Sequence, residues 1–129
     1  MNNFSEVHIM KNDLIKRSNI FAHKCVKLAI NLPKNKLGSH IEGQLIRCST
    51  SVAANYRAVC LGQSKKAFIS KLGIVIEEAD ECIFWIEFAK DENLINEENS
   101  KELIVEAKEL TSIFIASRIT SVRNLNSGK

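Results

Sequence analysis

Three features of the chain predict an all-α fold, an antiparallel up-down-up-down four-helix bundle. One proline and five glycines among 129 residues leave little turn chemistry. A β-rich fold needs far more punctuation, so the elements are long, and long elements here are helices. Apolar residues also recur at alternating spacings of four and three along four stretches, the pattern of a helix buried on one side. The breaks between stretches are short, which sets successive helices antiparallel. A length of 129 residues suits one domain with a core of its own. An apolar share of 45% and a charged share of 26% are ordinary for a globular chain.

The first helix is expected over about residues 13–31, with Leu14, Ser18, Phe21, Cys25, Leu28 and Leu32 as its seam. Asn12 or Asp13 is a suitable cap, and Pro33 ends the helix because proline cannot continue the hydrogen-bond ladder. The second is expected over about 40–61. Ser39 and Glu42 form a capping-box pattern at its start, and Gly62 follows its end. Its seam reads Ile41, Leu45, Cys48, Val52, Asn55 and Val59. The third, over about 65–90, starts after Ser64 and carries Phe68, Leu72, Val75, Ala79, Cys82 and Ile86. "IVI" (74–76) and "IFWI" (83–86) spread apolar surface around most of its circumference. No helix of a lone four-helix bundle is surrounded, so this breadth predicts self-association. The fourth, over about 97–121, starts after Asn96 with Glu97 and Glu98 at the positive end of its dipole. Residues 123–129 are expected to fray.

Charge is unevenly placed. Residues 1–73 hold 12 lysines and arginines against 3 acidic residues, and residues 74–129 hold 6 against 12, for a net +3. Either the basic half meets nucleic acid, or basic and acidic helices neutralise each other within the fold or between subunits. The N-terminal "MNNFSEVHIM" is too polar for a secretory signal. No apolar run approaches the roughly 18 residues of a membrane span. A soluble cytoplasmic protein with no membrane partner is expected. The four cysteines match no zinc spacing, and the three histidines are scattered. Cys25, Cys48 and Cys82 fall on apolar stripes and read as reduced core residues.

The stretch "CSTSVAANYRA" (48–58) carries polar groups beside the seam. Gln44, Arg47, Ser51 and Asn55 share one face of the second helix, and Glu78 and Glu81 share one face of the third. In an antiparallel hairpin turning near 62–63, facing positions sum to about 125. Arg47 then faces Glu78, and Gln44 faces Glu81. A seam arginine needs a carboxylate, so a partly buried Arg47–Glu78 pair that fixes helix register is expected, with Gln44, Ser51, Asn55 and Glu81 completing a network. A catalytic reading finds little support. Glu-x-x-His motifs, phosphate loops, G-x-S-x-G and H-E-x-x-H are all absent. No catalysis, cofactor or metal is expected. Arg57, Lys65, Lys66 and Lys71 surround the turn between the second and third helices and are candidate phosphate contacts; the alternative is an ordinary solvated turn. Tyr56 and Trp85 can stack on bases or pack inside.

"QLIRCSTSVAANYRA" (44–58) and "SKKAFISKLGIVIEEADECIFWIEFA" (64–89) resemble the four-helix bundle protein family encoded in intervening sequences of bacterial 23S ribosomal RNA genes. They are also similar to the accessory protein of diversity-generating retroelements. The matching positions are Gln44, Arg47, Ser51, Asn55, Ser64, Phe68, Lys71, Glu78, Ala79, Glu81 and Trp85. The resemblance implies a ring-shaped homo-oligomer, a homopentamer, with no catalytic activity. For the retroelement relatives it implies nucleic-acid binding and contact with a reverse transcriptase. Those relatives are strongly basic, whereas this chain is only +3. That departure counts toward the alternative, an oligomeric adaptor for another protein with no nucleic-acid ligand; the expected function is a non-catalytic oligomeric bundle that acts through assembly and binds RNA or DNA.

Overall fold

A computed structural model describes residues 4–62 and 64–128. Its helices are α1 (Phe4–Ile30), α2 (Lys36–Val59), α3 (Lys65–Asp91) and α4 (Glu97–Asn126), each joined to the next by five residues. Each helix packs along its successor, and α4 returns to touch α1 over a shorter stretch. The fold is an all-α four-helix bundle in which α1 and α3 stand diagonally opposite. Among the described residues, no helix is long and apolar enough to cross a membrane.

Side-chain caps position three of the helix starts. The Ser64 hydroxyl accepts from the Ala67 N–H, and the Asn96 side chain accepts from the Asn99 N–H at 2.8 Å. Each satisfies an N–H that the helix cannot pair itself. The start of α2 differs from the capping-box expectation. Asn35 is the cap, accepting from the Gly38 N–H at 2.8 Å, and the Ser39 N–H already bonds the Asn35 carbonyl. Ser39 lies in the first turn, and Glu42 faces Lys34 at 3.4 Å. Asn35 comes first after the Pro33 stop, so the helix closes on it four residues early. Helix α1 likewise starts before Asn12 and Asp13, because nothing in residues 4–12 breaks it. The expected frayed tail is helical through Asn126, with Ser127 capping and Lys129 outside the described residues.

The main core runs through all four helices and mixes aromatic with small and branched side chains, and a smaller cluster of Leu32, Ile41 and Ala89 lies beside it. Phe21 and Cys25 of α1 meet Leu45, Cys48, Val52 and Tyr56 of α2, Leu72, Val75, Cys82 and Ile86 of α3, and Leu103, Leu110 and Phe114 of α4. Tyr56 is buried with its ring 5.1 Å from Phe114, so it is a core residue and presents no surface to a base. It takes the inward position expected of Asn55, which is only half-buried. Cys25, Cys48 and Cys82 are fully buried free thiols, and the sulfurs of Cys48 and Cys82 lie 3.3 Å apart. The hydrogen bond with Cys82, followed by burial, pushes the Cys48 thiol up, and the neighbouring Cys25 together with burial pushes the Cys82 thiol up, both well away from thiolate formation.

Candidate functional site

The polar residues of the second and third helices lie on the rim of the α2–α3 interface. Arg47 donates to Glu78 at 2.9 Å and to Glu81, and its Nε reaches the Gln44 amide oxygen at 3.3 Å. The Trp85 indole N–H donates to the same Glu81 oxygen at 3.2 Å, and His40 meets the Trp85 ring edge-on at 5.4 Å. The Arg47 side chain is 49% exposed and that of Glu78 16%. The expected partly buried pair forms at the rim of the interface, with Glu78 the more buried partner, because Arg47 precedes the inward Cys48 by one position and points a hundred degrees away from it. The expected network also divides. Gln44 reaches Arg47 and not Glu81, whereas Asn55 turns back on its own helix and donates to the Ser51 hydroxyl and carbonyl. The guanidinium beside Glu81 holds that carboxyl below the usual carboxylate range.

The second group of candidates gathers at one end of the bundle, where the start of α1, the end of α2, the start of α3 and the end of α4 meet. Lys11 of α1 lies over the Phe68 ring at 5.2 Å, and Arg118 of α4 donates to the Ile69 carbonyl at 3.2 Å. Arg57, Lys65 and Lys66 are exposed here and Lys71 is partly so. The structure adds Lys11, Arg118 and Arg123, which sequence reasoning missed. The sequence has no Asp or Glu over 43–76 or over 110–129. Among the residues whose side chains the structure describes, the start of α1 brings one carboxylate to this end, Asp13. No ion pair among the described residues engages Arg57, Lys65, Lys66 or Lys71. The first turn of α3 is free of acidic residues, so its N–H groups and dipole add to the positive field.

Elsewhere the charge asymmetry is spent inside the fold. Arg17 of α1 bonds Glu106 and Glu109 of α4 at 2.8 and 2.7 Å, and Lys24 reaches Glu102 at 3.6 Å. With the Arg47 pairs, these ties join basic first-half helices to acidic second-half ones. A cleft of about 500 Å³ opens between α1 and the start of α4, lined by Lys24, Lys27, Leu28, Ile95 and Leu103. Among the described residues, no group of three His, Cys, Asp or Glu can hold a metal ion.

This helical frame has a counterpart among known families. The model of the 23S rRNA-intervening sequence protein family matches residues 10–116, from within α1 to within α4. The chain belongs to that family. The fold also matches the crystal structure of a protein of unknown function from the S23 ribosomal protein family of Bacteroides thetaiotaomicron VPI-5482, with a TM-score of 0.77 and 28% sequence identity over 84% of this chain and 96% of that one. None of the curated proteins matches. As a member of the 23S rRNA-intervening sequence protein family, the chain keeps its rim network and its basic end within the matched span, apart from Arg118 and Arg123.

Proposed function

We propose that this chain is a non-catalytic, self-assembling helical bundle that binds RNA or DNA at the end formed by Lys11, Arg57, Lys65, Lys66, Lys71, Arg118 and Arg123. The observation that carries the reading is the near absence of carboxylates there, on a chain whose net charge is only +3. Surface lysines are usually interspersed with acids. A cluster drawn from four helices, with none between Asn55 and Ile76 or after Glu109, favours phosphate groups, and each cation that meets one releases counterions. Membership of a family named for an intervening sequence of 23S rRNA supports a nucleic-acid setting.

The test is a titration of the protein against labelled structured RNA and duplex DNA at several salt concentrations. Binding that weakens steeply as salt rises, and drops about tenfold or more in Lys65/Lys66→Glu, is the expected result. No binding at low salt would sink the nucleic-acid reading. The ion pairs that tie Arg17, Lys24 and Arg47 of the basic half to acidic residues within the fold favour the second reading, an assembled adaptor for another protein. A protein partner retained after nuclease treatment would support it.

A further inference from the structure

The outward faces of α1 and α3 complement each other, and we propose that they form the contact between copies of this chain, the α1 face of one protomer against the α3 face of the next. The inference rests on the assembly half of the proposed function and names its interface. On α3 the outward row is Ile74, Glu77, Asp80, Phe84, Phe88 and Asp91, all exposed. Phe84 is 52% exposed and Phe88 38%, their rings 5.8 Å apart. Three carboxylates and no cation lie on this row. On α1 the outward row is Lys16, Ile20, His23, Lys24, Lys27 and Ile30, with Ile20 51% and Ile30 50% exposed. It holds three lysines, of which the exposed Lys24 also reaches Glu102 of its own protomer at 3.6 Å, and the sequence has no acidic residue between Asp13 and Glu42.

The apolar anchors are equally spaced. Ile20 and Ile30 are ten residues apart, as are Ile74 and Phe84, about 15 Å along either helix. Set side by side in parallel, Ile20 meets Ile74 and Ile30 meets Phe84. Lys24 and Lys27 then fall at the height of Glu77 and Asp80. An apolar centre with complementary charge around it is the make-up of a specific interface. Because α1 and α3 are diagonal in the bundle, the two faces point in opposite directions and each copy offers both. The contact is heterologous, so it propagates from copy to copy and closes into a ring when the rotation per protomer allows.

Charge reversal separates this interface from any other. Sedimentation velocity and native mass spectrometry of the full chain would compare wild type, Lys24/Lys27→Glu, Glu77/Asp80→Lys, the four-residue combination, and Phe84→Ser, with circular dichroism to verify each fold. The expected result is an assembled wild type, dissociation constants raised about tenfold or more in either reversal and in Phe84→Ser, and recovery in the combination. An assembled wild type that none of these variants weakens would overturn the interface while leaving assembly standing. Reversals that weaken assembly without recovery in the combination would overturn the pairing. A wild type that stays a protomer at every concentration would overturn both the interface and the assembly reading.

Discussion

Ser18 is the residue whose chemistry the fold leaves unanswered. Its hydroxyl is fully buried and has no hydrogen-bond partner among the described residues. A buried polar group without a partner costs about 1–3 kcal/mol, whereas alanine at the same place loses only one atom. Ser18→Ala is expected to raise the urea midpoint, by about 1 kcal/mol in stability. Glu81 shows the opposite case, a carboxylate with two donors, since Arg47 and Trp85 both donate to it. Its pKa is lowered chiefly by the Arg47 hydrogen bond, so the native state binds the proton less readily than the unfolded chain. The stability it contributes is present above its unfolded pKa and is lost as pH falls through the lower folded one. Urea midpoints in the acid range should therefore fall less steeply with pH in Glu81→Gln than in wild type. At pH 7 the loss should be under about 1 kcal/mol, because the pair is a surface one. The contact of Arg47 with Glu78 could be reached from the sequence, because hairpin arithmetic sets levels along two helices. Its exposure could not, because a single position decides whether a side chain points into a seam or beside it.

Among the helices, the starts were legible where one residue alone could cap. Ser64 and Asn96 each stand at the end of a short connection with no rival nearby. Asn35 and Ser39 compete within four residues, and the winner depends on how the chain leaves Pro33, which sequence does not display. The cost of that exit falls on Gly38. It is buried, and a β-carbon there would land well inside contact distance of the Pro33 carbonyl oxygen, with the Asn35 side chain also close. Backbone on both sides of this contact has little room to move. Gly38→Ala, normally a gain of up to about 1 kcal/mol in a helix, is expected here to destabilise by about 1–3 kcal/mol, the range for overpacking, as read by thermal or urea unfolding. Gly43 is the control: nothing lies within 4 Å of its β-carbon position, so Gly43→Ala should stabilise.

For the molecule as a whole, the bundle was legible because its seams repeat over whole helices, and a displaced cap moves none of them. The basic end was only half legible. Arg57, Lys65, Lys66 and Lys71 are close in sequence, but Arg118 and Arg123 arrive from α4 through antiparallel packing. Lys11 arrives from a helix that starts at Phe4. The breadth of apolar surface on α3 divides in the same way: Val75, Ile83 and Ile86 turn inward, and Ile74, Phe84 and Phe88 turn out. Between those two sets sits Trp85, the only tryptophan of the chain, half-buried at the rim, 4.9 Å from Phe84, with its N–H on Glu81. Its position makes the protein its own optical gauge. All indole emission comes from one seat between the hydrogen-bonded rim and the outward aromatic row, so its colour and intensity follow one local environment with no averaging over sites. Parting of α2 from α3 wets that seat, and dissociation of the assembly proposed through the outward row would change only its far wall. Two different spectral responses, obtained without any attached dye, therefore distinguish a bundle coming apart from copies letting go.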